Sequence, residues 1–138
     1  MKHRKTIRHV HEPGHFHEFT FSCYLRQPLL ARFKRYELLS SLIDQAGVAE
    51  SFDLVAFVFM PEHLHLLVYP RPTQPAFGTY LARIKRPFSG LVKEEWSKTR
   101  PELVDELTIP ERPGKFSFRF WQEGGGYDRN LRSVSALA

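Results

Sequence analysis

At 138 residues the chain is about the size of one domain, long enough to enclose a single hydrophobic core. Its composition, 42% hydrophobic and 25% charged, excludes disorder throughout, and a formal charge of +5 with a pI near 9.6 favours a polyanionic partner. A single cysteine, Cys23, excludes an internal disulfide, and no run approaches the roughly 20 apolar residues that span a bilayer.

Residues 1 to 14, MKHRKTIRHVHEPG, place Lys2, Arg4, Lys5 and Arg8 among three histidines and close on a Pro-Gly turn signal. They read as a basic N-terminal arm, either simply solvated or contacting phosphates. Histidines and Glu12-Pro13-Gly14 stand where a signal peptide would carry an apolar segment. A cytoplasmic location is therefore expected, and a lone cysteine suits that reducing compartment.

From His15 to Tyr24 the residues alternate as a strand should, with Phe16, Glu18, Thr20, Ser22 and Tyr24 on one side. His17, Phe19, Phe21 and Cys23 fall on the other, where Cys23 is a small buried hydrophobe. Gln27-Pro28 breaks the strand. Arg32 to Val48 then has helical spacing through Tyr36, Leu39, Ile43 and Ala46, with Gly47 as its stop. Arg32, Lys34 and Arg35 crowd the first turn, where positive charge opposes the helix dipole unless an anion lies nearby.

Phe52 to Met60 is a nearly continuous apolar run, which predicts a strand buried on both faces at the centre of the sheet. Pro61-Glu62 interrupts it and His63 to Tyr69 resumes, so the two runs form an antiparallel hairpin. A second helix is expected over Ala76 to Lys98, spaced through Phe77, Leu81, Ile84, Phe88 and Leu91 and kinked or divided at Pro87. Arg83, Lys85 and Arg86 gather before that proline, as a solvated face or as a grip on phosphates.

Thr99 to Gly114, with Pro101, Pro110 and Pro113, reads as a loop holding at most a short helix at 102–107. Phe116 to Trp121 alternates again as a last strand or extended segment. The run Gly124-Gly125-Gly126 is not a phosphate-binding loop, because no lysine-serine or lysine-threonine follows it. The chain then runs to LRSVSALA, which reads as the start of a helix. The order strand, helix, strand, strand, helix, extended segment is close to a split βαβ arrangement.

The candidate chemistry lies in FVFMPEHLHLLVYP, Phe57 to Pro70. In a strand, His63 and His65 project to one side about 6 to 7 Å apart along the backbone, where both imidazoles can converge on one cation. Leu64, Leu66 and Val68 point the other way and anchor the strand. His15 and His17 repeat the His-x-His spacing, but His15 follows Pro13-Gly14 at a strand start and His17 shares its face with phenylalanines. They are the weaker metal pair. Two histidines fall one short of the three protein ligands usual at a catalytic metal, although water and substrate oxygens can fill the shell.

PEHLHLLVYP, the strand HEFTFSCY, the IKRPFS segment at Ile84 to Ser89 and RFWQEGGGYDRNL together resemble the single-tyrosine HUH transposases of the insertion-sequence-200 type. The similarity is greatest to the subgroup associated with REP sequences, and it covers nearly the whole chain. It implies an α+β, ferredoxin-like domain with an antiparallel sheet and helices packed on one face. Such domains are often dimeric and bind single-stranded or hairpin DNA for transposition. On this resemblance His63 and His65 match the histidines that hold Mg2+ or Mn2+ at the scissile phosphate, and Arg83, Lys85, Arg86 and Arg129 are the DNA-binding candidates.

The nucleophile in that family is a tyrosine on a C-terminal helix, in a tyrosine-isoleucine segment beyond the position matched by Arg129-Asn130, and forms a 5′-phosphotyrosine. Residues 1–138 contain no such segment, so the chain reads as C-terminally truncated with cleavage impaired. Tyr127 matches the tyrosine of a glycine-tyrosine-aspartate-arginine turn, which is not the catalytic one, and is only a weak candidate. Tyr24, Tyr36 and Tyr80 read as packing residues and Tyr69 as a strand-end aromatic. Two functions are therefore expected to compete: a metal-dependent transposase, and a non-catalytic DNA- or RNA-binding module derived from one.

Overall fold

A computed structural model describes residues 15–124 and the backbone path of Tyr127–Leu131. The basic arm at 1–14 and the final helix expected from LRSVSALA lie outside the described residues. Strand β1 (Phe16–Ser22) buries His17, Phe19 and Phe21 and turns Phe16, Glu18, Thr20 and Ser22 to the opposite side, as the alternation requires. Cys23 is fully buried next to it, and burial pushes its thiol pKa up to about 11.

The remaining elements are α1 (Leu29–Phe33), α2 (Tyr36–Glu50), β2 (Phe52–Phe59), β3 (His63–Pro70), α3 (Phe77–Thr99), α4 (Pro101–Leu107), β4 (Thr108–Arg112), β5 (Lys115–Phe118) and β6 (Tyr127–Leu131). The main sheet has the order β2-β3-β1-β6, and every pair in it is antiparallel. The fold is α+β and ferredoxin-like, as expected, with β1 and β3 at the centre.

One face of β1 and β3, carrying Phe19, Phe21, Leu64, Leu66 and Val68, forms the core with Leu39, Ile43 and Ala46 of α2 and Phe77, Tyr80, Ile84 and Phe88 of α3. Burying each large side chain contributes roughly 1.5–3 kcal/mol of transfer free energy. His17 sits in this core, fully buried, with its ring 4.6 Å from that of Phe77.

The expected helix at 32–48 is two helices. Lys34 takes a left-handed conformation (φ 58°), which ends α1 so that Phe33 can pack edge-on against Phe88 and Trp96. Arg35, at the start of α2, pairs with Glu37 at 3.0 Å and Glu95 at 2.9 Å, so carboxylates offset the cation that opposes the helix dipole. Gly47 is not the stop, because α2 runs on to Glu50 and ends at left-handed Ser51. The glycine instead permits close approach: a Cβ there would lie 2.9 Å from the Phe52 carbonyl oxygen.

The expectation of a central β2 is overturned. Among the described residues β2 is an edge strand, with Val55, Phe57 and Val58 exposed and a register shift between Leu54 and Ala56. An unbroken apolar run does not distinguish a doubly covered strand from one with an open side. The hairpin with β3 is present, closed by the Met60 amide donating to the His63 carbonyl at 2.8 Å.

Helix α3 continues through Pro87, which lies on its exposed side, and is not divided there. Its buried stripe leaves the expected line after Phe88, taking Val92 and Trp96 and leaving Leu91 exposed. The short helix allowed for at 102–107 is present as α4, but the loop expected after it holds β4, which pairs with β5 in a separate two-stranded ribbon turning at Gly114 (φ 78°). Both strands of a ribbon are edges, so Pro110 is tolerated. Phe116 to Trp121 is consequently not the last strand of the main sheet. That place belongs to β6, which the reading of the sequence missed.

Candidate metal centre

Among the described residues α2 and α3 cover only one face of the sheet, so the alternate residues of β1 and β3 stand on an open face. His63 and His65 are there, with side chains 15% and 38% exposed, while Leu64 and Leu66 between and beyond them are fully buried. Their rings meet edge to face at 4.8 Å, and the two Nε2 atoms lie 3.0 Å apart. Two adjacent ligands of an octahedral ion, each at about 2.1 Å, are about 3.0 Å from one another. The pair therefore has the spacing of two neighbouring ligands to one small divalent cation.

The outer nitrogens are also held. Glu62 Oε1 is 3.0 Å from His63 Nδ1, and a carboxylate can only accept, so His63 Nδ1 is the donor, and in the neutral ring Nε2 has the lone pair. His65 Nδ1 is 3.0 Å from Thr20 Oγ1 and 3.5 Å from Glu18 Oε1. A hydroxyl can donate or accept, so Thr20 serves either tautomer of His65. With His65 Nε2 protonated, it donates to His63; with Nδ1 protonated, both Nε2 lone pairs face the same point. Second partners of this kind orient metal-binding histidines and raise their basicity.

Two imidazoles can serve as two ligands of a divalent ion and leave the rest of its shell to oxygen ligands such as water. Among the described residues no group of three or more His, Cys, Asp and Glu side chains forms a metal cluster. His15 and His17 do not reproduce the arrangement, since His17 is in the core.

The basic candidates do not converge. Arg83 Nε donates to Glu50 Oε1 at 2.8 Å, toward α2. Lys85 turns to the 122–124 segment, where its Nζ lies 3.0 Å from the Gly124 carbonyl and 5.5 Å from the Phe21 ring centre. Burial lowers the Lys85 pKa. Lys85 acts there as a strut between α3 and the segment leading to β6. Arg86 is exposed and shares a groove of about 350 Å3 with Lys85, Arg119 and Trp121, where Arg119 pairs with Glu123 at 2.7 Å.

For Tyr127 and Arg129 the backbone gives the register alone. Tyr127 pairs with Thr20, which pairs with His65, and Arg129 pairs with Glu18. Two strand spacings, about 10 Å, separate the Tyr127 backbone from that of His65. Tyr36 stacks on Phe59, Tyr69 meets Phe16 edge-on and Tyr80 is fully buried, which are the packing roles expected of them. Glu18, Thr20, Glu62 and Arg119 were missed by the sequence reading. The alternation of β1 placed Glu18 and Thr20 on one side, but the pairing that brings them beside His65 had no local signal.

No protein-family model matches the chain, and no curated protein does. Solved structures do. The structure of the REP-associated tyrosine transposase bound to a REP hairpin superposes with a TM-score of 0.68 at 18% identity, over 97% of this chain and 66% of that one. The fold is that of a tyrosine transposase. A candidate transposase from Deinococcus radiodurans matches this transposase fold less closely, with a TM-score of 0.52 at 16% identity, over 98% of this chain and 89% of that one. The chain thus spans just under two thirds of the REP-associated transposase. No helix among the described residues is long and apolar enough to cross a membrane.

Proposed function

We propose that the chain is a DNA-binding protein of the transposase type, acting in DNA transposition by metal-dependent cleavage and rejoining of a single strand. His63 and His65 would hold Mg2+ or Mn2+ at a phosphodiester of single-stranded or hairpin DNA. The observation that carries this reading is the 3.0 Å separation of the two Nε2 atoms, with each Nδ1 held from behind. When bound, such an ion supplies Lewis-acid polarisation of a phosphoryl oxygen.

The rest is done by the chain's own groups. Glu62 keeps the proton on His63 Nδ1, Thr20 and Glu18 hold the His65 ring, and the buried Leu64 and Leu66 fix the strand between them. The exposed Arg86 and the partly paired Arg119 are available to phosphates in the groove along α3, whereas Arg83 and Lys85 already have protein partners. Arg129 is kept as a DNA-binding candidate on the resemblance alone. Cleavage, on this reading, takes its nucleophile from the tyrosine-isoleucine segment of the resemblance, and residues 1–138 supply the metal- and DNA-binding half of the site.

The test is incubation of the 138-residue chain with labelled single-stranded hairpin DNA and Mn2+, followed by a denaturing gel and a parallel binding titration. Metal-dependent binding that falls with His63→Ala and His65→Ala, without a covalent adduct, is expected. A robust adduct that disappears in Tyr127→Phe would make Tyr127 the nucleophile and overturn the division of roles. The two-ligand site favours a second reading, a non-catalytic DNA- or RNA-binding module. Binding that is indifferent to both histidine substitutions yet weakens steeply with salt would select it.

A further inference from the structure

The open face carries a feature that metal binding does not use. Beside His65 is an apolar depression of about 360 Å3, lined by Glu18, Ala56, Phe57, Val58, His65 and Leu67. Its volume is at the lower end of the roughly 300–1,000 Å3 of small-molecule sites. The register explains its position: Val58 pairs with His65, and Ala56 and Glu18 both pair with Leu67, so these residues form two adjacent rows across β2, β3 and β1. No strand pairs with the outer edge of β2 among the described residues, and Val58 is 52% exposed.

We propose that this depression is a nucleobase subsite, taking the base adjoining the phosphate held at His63 and His65. The inference rests on the proposed phosphate-binding reading of that pair. One sugar joins a base to its phosphate, so a phosphate at His65 carries its base onto the neighbouring residues of the sheet. On the β2 side those residues are apolar, and a base offers an apolar face to pack on them.

Charge sets the orientation. The Glu18 carboxylate at the rim repels phosphate, which keeps the backbone at the histidines, and it accepts hydrogen bonds without donating any. Adenine, cytosine and guanine carry an exocyclic amino group that can donate to it, and thymine does not. In a duplex the faces of a base are covered by stacking, so the subsite selects an unpaired nucleotide.

The test measures the affinity of the Mn2+-loaded chain for deoxycytidine monophosphate (5′ and 3′ isomers), thymidine monophosphate and deoxyribose 5-phosphate. One cytidine isomer is expected to bind about tenfold tighter than deoxyribose 5-phosphate, within the usual range for one packed base. Ala56→Phe, on the exposed strand, fills the depression; it should abolish that advantage while leaving deoxyribose 5-phosphate and Mn2+ binding unchanged. Val58→Ser is the second variant if Ala56→Phe lowers the melting temperature, and it should reduce the advantage without removing it. Glu18→Gln should narrow the preference for cytidine over thymidine.

A cytidine affinity unchanged in both β2 variants, or equal to that of deoxyribose 5-phosphate, overturns the subsite and leaves the metal site standing. Failure of all four phosphates to bind the Mn2+-loaded chain overturns the phosphate-binding reading, and the subsite with it.

Discussion

The two faces of the central strands differ in almost every property although they alternate residue by residue. On the helix side Phe19, Leu64 and Leu66 are fully buried against α2 and α3; on the open side Glu18, Thr20, His63 and His65 are partly exposed and bonded to one another. One strand period thus separates stability from chemistry by a single residue. The covered face sets where the imidazoles stand, and the open face can be altered at little cost to the fold.

That comparison is broken most forcefully on the covered side. Leu66→Ala should cost about 2–5 kcal/mol in urea denaturation, because a fully buried side chain leaves a cavity, whereas His65→Ala should stay within about 1 kcal/mol. Equal losses would remove the distinction between the faces. On the open side, His63→Ala should abolish measurable Mn2+ binding in a calorimetric titration. Glu62→Gln, which weakens only the support behind His63, should reduce affinity about 10- to 100-fold.

Smaller effects sharpen the picture of the covered face. Gly47→Ala should destabilise by about 1–3 kcal/mol, since its Cβ would meet backbone at Phe52 and not a mobile side chain. Cys23 titrates at about 11 in the folded chain, against an ordinary value of 9.0. The unfolded thiol therefore loses its proton first, and the stabilisation present below pH 9 should fade as the pH rises through 11. A pH series of thermal melts checks this, with Cys23→Ala expected to flatten that alkaline slope.

The strands that bear the chemistry were legible because their pattern is local: the alternation of β1 and of His63 to Val68 specifies which side each residue takes. Sheet order is not local. Phe52 to Phe59 is apolar at every position but Asp53, and nothing in it reports that only β3 pairs with it among the described residues. The sequence brought Arg83, Lys85 and Arg86 together by proximity along the chain, but residues two apart on a helix face different ways, so Lys85 turns to the 122–124 segment while Arg83 turns to Glu50. β6 and the β4-β5 ribbon were hidden by glycine and proline, whose turn signals outweigh short strands of four or five residues. Glu62, by contrast, adjoins His63 in sequence, but beside Pro61 its only local signal is that of a strand break.

The central claim is that His63 and His65 hold one ion together. Electron spin-echo spectroscopy of the Mn2+-loaded chain tests it most directly, through the nitrogen couplings of bound imidazole. The account predicts coupling from two imidazoles in the wild type, from one at most in His65→Ala, and from none in the double alanine variant. Absence of imidazole coupling in the wild type, or a signal unchanged by both substitutions, would contradict it.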